Sequence, residues 1–204
     1  SRAGMIFELE TDKFSIFDTS LRSVDATPNR LSLIYQVLLQ SSIEANFGLR
    51  FTQKDQENLT ALLREKPSSK SFLQASQHFV GRGMGLTPSG DDILMGFIFM
   101  QKLLSYESGM TSTFVDFISQ KTTAISVAYL KNLFNGYISE YFVAFEKAVV
   151  EEDYISLQTT VGTIKAIGHT SGCDTLLGMS LGISKIEGKT EDSFIWKAIQ
   201  YQSF

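Results

Sequence analysis

Apolar residues recur at helical spacing over most of the chain. From residue 30 onward, Leu31, Ile34 and Leu38 fall on one stripe at intervals of three and four, and Pro28 just before this stripe is a common start signal for a helix. The same spacing and its stop signals predict further helices over residues 53–64, 70–80, 93–104, 113–134, 139–150, 154–167 and 174–186. The helical pattern therefore predicts a mainly α fold.

The first residues of the chain follow a different pattern. Two short runs rich in Ile and Phe surround a Thr-Asp turn over residues 5–17, which is typical of a β-hairpin rather than a helix. We therefore divide the chain into an N-terminal β segment, residues 1–28, and a helical domain, residues 29–204. The predicted fold class is mainly α (α+β), a helical domain with a small N-terminal hairpin or sheet.

Composition and charge exclude several classes of protein. The chain has 204 residues, of which 43% are hydrophobic, enough to bury one continuous core. Its 18 basic residues are scattered and are outnumbered by 22 acidic ones, which argues against a nucleic-acid surface. The single cysteine, Cys173, is typical of a reducing compartment, so we expect a cytoplasmic protein. The longest uncharged apolar stretch, residues 93–100, is far shorter than the ~20 residues that span a bilayer, so no membrane partner is expected.

Two segments 82 residues apart share a sequence. SGDDILMG begins at Ser89 and SGCDTLLG begins at Ser171, and they agree at Ser, Gly, Asp, Leu and Gly. Each copy follows a loop that contains glycine and precedes an apolar run, and a threonine stands shortly before each, at Thr87 and Thr170. This shared context indicates that both segments begin helices with the same local structure. We call them the two Ser-Gly-x-Asp turns.

Two explanations fit these turns. Ser-x-x-Asp before an apolar run is a capping box with Asp in place of Glu, which accounts for the serines and aspartates alone. It leaves the glycines unexplained, because Gly90 and Gly172 bring no capping benefit in the first turn. Gly96 and Gly178 stand inside the predicted helices, where each costs about 1 kcal/mol relative to alanine. The glycines instead favour close approach of a ligand at the turn and of a packed helix one turn further on.

The turns also indicate a class of ligand. A helix N-terminus lined by glycine presents unpaired N–H groups and a positive dipole end, which suits an anion. Asp92 and Asp174 fit such a site in one of two ways: they hold Mg²⁺ beside a phosphate, or they accept hydrogen bonds from the amide NH₂ of a small acid amide. The sequence leaves open whether Mg²⁺ is a cofactor. No His/Cys spacing indicates zinc, and no P-loop or dinucleotide fingerprint is present.

The strings GMGLTPSGDDILMG and GHTSGCDTLLG resemble the AllH-like family, and a stretch between them, from Thr122 to Gly136, resembles the family more weakly. This family was long carried as a domain of unknown function and is linked to the catabolic oxamate carbamoyltransferase of allantoin breakdown, part of purine degradation. The resemblance implies a subunit of a multi-subunit enzyme that interconverts oxalurate plus phosphate with oxamate plus carbamoyl phosphate. The implied partners are therefore a small acid amide, carbamoyl phosphate or phosphate, and other subunits.

Candidate site residues follow from the turns and from the resemblance. We assign catalytic roles to the two turn aspartates and to neighbouring donors for developing negative charge: Asp92, Asp174, His169 and Arg82. We expect the ligand to be surrounded by residues of the turns and by two that only the resemblance indicates: Gly85, Thr87, Ser89, Gly90, Asp91, Thr170, Ser171, Gly172, Thr123 and Ser126. No metal ligand is assigned. The alternative is a non-catalytic scaffold or small-anion-binding subunit, in which the turns only cap helices and a partner chain carries the chemistry.

Overall fold

The computed structural model of the protein describes residues 17–43, 46–107, 109–110 and 112–189. Over these ranges the chain forms nine α-helices and no β-strand: α1 (Pro28–Gln40), α2 (Gln53–Arg64), α3 (Lys70–Phe79), α4 (Ser89–Leu103), α5 (Ser112–Ser119), α6 (Ala124–Phe134), α7 (Glu140–Val150), α8 (Tyr154–Lys165) and α9 (Ser171–Ile186). The predicted mainly helical fold is confirmed. None of these helices is long and apolar enough to cross a membrane.

The predicted N-terminal hairpin lies outside the described residues, except for its last position, Phe17. The described part of the N-terminal segment, residues 17–27, is irregular and contains no strand. It forms an isolated antiparallel bridge between Ser20 and Tyr137. This part of the predicted β segment therefore joins the helical domain through single backbone hydrogen bonds.

Side-chain caps determine where several helices begin. At α2, Thr52 Oγ1 accepts from the Asp55 N–H, and the Asp55 carboxylate accepts from the Thr52 N–H at 2.8 Å. This reciprocal capping box satisfies two N–H groups that a helix N-terminus leaves unpaired. Thr27 and Ser69 cap α1 and α3 with their hydroxyl groups. Helices α2 and α3 accordingly begin at the residues that the sequence predicts.

The single helix predicted over residues 113–134 is wrong, because the chain forms two helices, α5 and α6, with a break between them. In the break, the Thr122 hydroxyl donates to the buried carboxylate of Asp91. Thr123 caps α6 by accepting from the Ser126 N–H at 3.1 Å. Such side-chain bonds compete with helix formation. The apolar spacing gives no sign of them, because Asp91 lies 31 residues away in the sequence.

Helices α4 and α9 form the centre of the domain and are buried on nearly all sides. A Cβ added at Gly96 would lie 2.0 Å from the Thr175 carbonyl oxygen, and one added at Gly178 would lie 2.0 Å from the Ile93 carbonyl oxygen. The predicted close packing of a helix against these glycines is confirmed. The repeat spacing of 82 residues relates Gly96 to Gly178 and Ile93 to Thr175, so each of these two contacts is the counterpart of the other. A local two-fold axis therefore relates the two helices. Further along, a Cβ added at Gly182 would lie 2.6 Å from the Met100 Cβ. The contacts thus advance from Ile93 with Gly178 to Met100 with Gly182, so α4 and α9 run parallel.

The other helices enclose this central pair. Helices α3 and α6 pack against α4, whereas α1, α2 and α8 pack against α9. Lys185 of α9 donates to the Leu62 and Glu65 carbonyl oxygens at 2.8 and 2.7 Å, at the end of α2. A cation bound to the last carbonyls of a helix satisfies acceptors that have no partner within the helix. This bond joins α2 to the central pair.

Candidate functional site

The two Ser-Gly-x-Asp turns lie side by side, because the parallel helices α4 and α9 bring their N-termini to the same end. Ser89 and Ser171 are the first residues of the two helices, which therefore begin earlier than the predicted residues 93 and 174. The Thr87 and Ser171 hydroxyl oxygens lie 3.1 Å apart. The prediction that both turns begin helices is confirmed, and the structure brings them together.

The serines do not cap their own helices, so the capping-box explanation is wrong for these turns. Neither α4 nor α9 has a side-chain hydrogen bond at its N-cap. Instead, each aspartate interacts with the serine of the other turn: Asp92 with the Ser171 hydroxyl, and Asp174 with the Ser89 hydroxyl. These two pairs exchange under the same local two-fold axis. The repeated turn therefore forms one polar cluster shared by both helices.

Burial determines the electrostatics of this cluster. It raises the pKa of Asp92 to about 7, against hydrogen bonds from Ser171 and Thr87 that act to lower it, and the nearby Asp174 charge adds to the increase. Burial likewise raises the pKa of Asp174 to about 6, against hydrogen bonds that include one from Ser89. A buried carboxyl group favours its neutral form because low dielectric surroundings penalise the charge. Near neutral pH, Asp92 can therefore either donate or accept a proton.

A cavity of about 690 Å³ lies beside Asp92. Its polar lining includes Thr87, Asp92 and Ser171, and no Lys, Arg or His of the described ranges lines it. Its remaining lining is largely apolar and aromatic: Leu86, Met95, Ile125, Tyr129, Leu133, Tyr137, Tyr141, Phe142, Ile164 and Ile167. The Oδ2 atom of Asp92 is buried and has no hydrogen-bond partner within the described part of the chain. Because buried polar atoms are normally paired, an unpaired carboxylate oxygen in a cavity-lining residue makes Asp92 a candidate for contact with a bound molecule.

The second aspartate is covered by the chain itself. The Gly48 N–H donates to the two Asp174 carboxylate oxygens at 3.1 and 3.3 Å. A Cβ added at Gly48 would lie 2.1 Å from Ser89 Oγ and 2.6 Å from Thr170 Oγ1, so a side chain at residue 48 would require these hydroxyl groups to move. Of the predicted site residues, Asp174 thus contacts a backbone amide of the same protein, and Ser89 and Thr170 lie beside the same glycine.

Gly90 and Gly172 contact protein backbone rather than open space. An added Cβ would lie 2.0 Å from the Phe79 carbonyl oxygen at Gly90 and 2.0 Å from the Ile164 carbonyl oxygen at Gly172. The N–H groups of the two glycines donate to loop carbonyl oxygens at 2.8 and 3.1 Å, that of Gly90 to Arg82. Packing against the preceding helix therefore explains why both positions lack a side chain. The predicted close approach of a ligand is not needed to explain these glycines.

Arg82 forms an ion pair that the sequence did not predict. Its Nε lies 2.8 Å from Oδ1 of the fully buried Asp55, and its Nη2 donates to Oδ2 at 2.8 Å. His78, interpreted as structural from the sequence, lies with Nε2 2.7 Å from the same carboxylate. Arg82 does not line the cavity. Asp55 was missed because it lies 27 residues from Arg82, and its only local signal is its place in the capping box of α2.

Other predicted residues hold the glycine-rich loop, residues 81–88, in place. Asp91 is buried and accepts from the Gly81 N–H at 2.7 Å as well as from the Thr122 hydroxyl. Thr123 Oγ1 donates to the Leu86 carbonyl oxygen at 2.5 Å. These bonds join the loop to α4 and to the start of α6. Asp91 and Thr123 therefore have structural partners, and neither lines the cavity.

The last three predicted residues differ in their surroundings. Gly85 has a φ of +101°, a left-handed conformation that favours glycine, in an exposed part of the loop. Ser126 is buried, and its hydroxyl has no hydrogen-bond partner within the described ranges. His169 is exposed just before α9, and its carbonyl oxygen accepts from the side-chain amide of Asn46. None of the three lines the cavity.

Sequence reasoning missed the aromatic lining of the cavity. Among the aromatic residues, Tyr129 comes from α6, and Tyr141 and Phe142 come from α7. The polar lining residue Thr175, which comes from α9, was also missed. Aromatic residues at helical spacing are usually part of a core, and nothing in their local sequence distinguishes a cavity wall from a packed interface. The polar residues were found because the turn is repeated.

The described ranges contain no group of three His, Cys, Asp or Glu side chains arranged to hold a metal ion. The two carboxylates of the cluster, Asp92 and Asp174, are oxygen ligands of the kind that Mg²⁺ accepts. Since both oxygens of Asp174 accept the Gly48 N–H, Asp92 is the carboxylate of the pair that would hold a magnesium ion, which would supply positive charge for a substrate phosphate.

Comparison with known families covers both turns. The family described as oxamate carbamoyltransferase subunit AllH matches residues 79–183, more than half of the chain. The chain belongs to this family. The matched AllH region runs from the end of α3 into α9, so it contains Asp92, Ser171 and the helices that line the cavity, whereas the Gly48 segment lies outside it. No solved structure matches the chain.

Proposed function

We propose that this AllH-family chain is the subunit of an oxamate carbamoyltransferase that binds the small acid amide, oxamate or oxalurate, and that Asp92 contacts it. The observation that carries this proposal is that Asp92 lines a cavity of about 690 Å³ and has a buried Oδ2 atom that lacks a partner in the described ranges. The Ser171 and Thr87 hydroxyl groups beside it add further hydrogen-bonding capacity.

The chemistry of carbamoyl transfer fits a carboxyl group at this position. The amide nitrogen of oxamate forms a bond to the carbamoyl carbon while the bond from that carbon to the phosphate oxygen breaks. The nitrogen loses one proton, and the departing phosphate gains one. A carboxyl group whose pKa is about 7 can accept the first proton and return it to phosphate at neutral pH. In the reverse direction, Asp92 acts as the acid toward the oxamate nitrogen.

The phosphate needs positive charge that this cavity does not provide from the described residues. We propose that carbamoyl phosphate or phosphate is bound where another subunit faces the cavity and contributes a basic side chain, with the N-terminal dipoles of α4 and α9 in support. His169, exposed just before α9, is a further candidate donor. The proposed reaction is a step of allantoin and purine breakdown in the cytoplasm.

A ligand screen tests this proposal. Thermal unfolding of the full chain is measured with oxamate, oxalurate, phosphate and carbamoyl phosphate, each with and without Mg²⁺. A ligand at 100 times its dissociation constant stabilises a protein by about 2.7 kcal/mol, which is readily measured. We expect oxamate or oxalurate to stabilise the wild type and the exposed control Asp116→Asn, but not Asp92→Asn. Stabilisation that persists in Asp92→Asn, or absence of any effect in the wild type, would contradict the proposal.

A non-catalytic scaffold is the second candidate, and one observation favours it. The motif glycines Gly90, Gly96, Gly172 and Gly178 are all accounted for by packing against protein backbone. On this reading the turns serve only to join α4 and α9, and a partner subunit binds every substrate. Assembly with partner subunits that survives in Asp92→Asn, together with unchanged turnover of the assembled enzyme, would favour the scaffold.

A further inference from the structure

The local two-fold axis relates two half-sites in this chain. One half-site consists of Asp174 with Ser89 and Thr170, and the other consists of Asp92 with Ser171 and Thr87. In each, the aspartate interacts with a threonine that precedes its own helix and with the serine that begins the other helix. Thr170 directly precedes α9, whereas Thr87 is separated from α4 by Pro88, so the two half-sites share their serine and aspartate positions and contain the same kinds of polar side chain.

The Asp174 half-site is filled, and its occupant is a backbone amide. The Gly48 N–H points between the two Asp174 oxygens, at 3.1 and 3.3 Å. The carbon next to that nitrogen lies so close to the Ser89 and Thr170 hydroxyl groups that a Cβ would be 2.1 and 2.6 Å from them. The half-site thus accepts an amide N–H whose neighbouring carbon has no branch.

The Asp92 half-site contains the same kinds of polar side chain without an occupant from the described chain. Thr87, Asp92 and Ser171 line the cavity, and Asp92 is 2% exposed with its Oδ2 atom unpaired within the described ranges. We infer that this half-site binds the N–H of a flat, unbranched amide in the way that the Asp174 half-site binds the Gly48 N–H. The inference rests on the proposed function and deepens it, because it names the N–H group as the part of the ligand that Asp92 recognises.

The local symmetry leads to a rule for specificity. A ligand that keeps the size and carboxylate of oxamate but carries a methyl group in place of the NH₂ leaves the buried Asp92 oxygen without a donor. Leaving a buried acceptor unsatisfied costs about 1–3 kcal/mol, so such a ligand should bind at least about fivefold more weakly. Pyruvate is this ligand, since it differs from oxamate only by CH₃ for NH₂.

Calorimetric titration of the full chain with oxamate and with pyruvate at pH 7 tests the inference. We expect oxamate to bind at least about fivefold more tightly than pyruvate. In Asp92→Ala the ratio of the two dissociation constants should fall to within about twofold of one, whereas the exposed control Asp116→Ala should keep the wild-type ratio. The comparison of the two ligands on the wild type needs no variant, so it remains decisive if Asp92→Ala does not fold.

The outcomes separate the inference from the proposed function. Equal binding of oxamate and pyruvate would overturn N–H recognition while leaving a small-acid site in place. Binding of neither, with active partner subunits shown to bind oxamate, would overturn both. A strong preference for oxamate that persists in a folded Asp92→Ala variant would also overturn the inference, because another group would then accept the hydrogen bond from the ligand N–H.

Discussion

Replacing Asp92 by Asn should stabilise the chain at neutral pH and leave its stability almost unchanged in acid. The pKa of Asp92 is about 7 in the folded protein, whereas its unperturbed value is 3.8. Between these values the folded state keeps a proton that the unfolded state releases. The free energy of unfolding therefore falls as pH rises from about 4 to about 7, and the contribution of the neutral carboxyl group is lost above pH 7.

The size of the effect follows from the pKa. Each unit of difference is worth about 1.36 kcal/mol, so a difference of roughly three units gives about 4 kcal/mol as an upper bound. Asparagine resembles the protonated acid at every pH and so avoids the penalty for a buried charge. We expect Asp92→Asn to raise the free energy of unfolding by about 2–4 kcal/mol at pH 8 and by less than about 0.5 kcal/mol at pH 4.

Urea denaturation at five pH values between 4 and 8 measures this difference. Asp116→Asn makes the same chemical change at an exposed position and should give a small difference at every pH. A stability difference for Asp92→Asn that does not change with pH would show that burial of this carboxyl group has no effect on its titration. Destabilisation at pH 8 would likewise refute the reasoning, because the ionised carboxylate would then be favoured by its surroundings.

Two further predictions concern packing and the ion pair beside the glycine-rich loop. Gly178→Ala should destabilise the fold by about 3 kcal/mol or more in urea denaturation, because its Cβ would lie 2.0 Å from a carbonyl oxygen of α4. Gly162→Ala is the control: this residue is on the exposed face of α8 with no atom within 4 Å, so the change should stabilise the fold by about 0.5–1 kcal/mol. The reverse order of the two stabilities would contradict the packing of α4 on α9. Burial acts to raise the pKa of Asp55, but hydrogen bonds from Thr52, His78 and Arg82 outweigh burial and hold the pKa at about 2. Asp55→Asn should therefore destabilise the protein by about 2 kcal/mol at pH 7, and this loss of stability should disappear as pH falls toward 2. A loss of stability that does not depend on pH would contradict the ion pair.

The helices could be predicted largely from local signals. Helix α2 has the predicted bounds, because its apolar stripe and the Thr52 cap are both encoded within a few residues. The break between α5 and α6 could not be predicted in the same way, since it depends on the bond from Thr122 to Asp91, 31 residues earlier in the chain. Local sequence thus determines where helices are favoured, and remote contacts determine where a favoured helix is interrupted.

The candidate site was predictable only as far as the repeat extends. The two turns identified Asp92, Ser171 and Thr87, which line the cavity. They gave no information about which residues approach each turn from outside the repeat. Gly48 lies 126 residues from Asp174, and the sequence around it has no feature that indicates a buried hydrogen bond. The packing partners of Arg82, Gly90 and Gly172 could not be predicted for the same reason, since these partners are remote backbone and side-chain atoms.

The difference between the two half-sites arises outside the repeated turns. Within the repeat, α4 and α9 contribute the same serine, glycine and aspartate. A Cβ added at Gly96 or at Gly178 would in both cases lie 2.0 Å from a carbonyl oxygen of the other helix. On one side the Gly48 segment, which precedes α2, covers Asp174; on the other, residues of α6 and α7 leave a cavity next to Asp92. A symmetric pair of helices would otherwise present two identical carboxyl groups to solvent. One aspartate can therefore accept a backbone amide while its equivalent keeps an oxygen that has no partner within the described residues. Under the proposed function, this division lets one repeated motif serve both structure and binding.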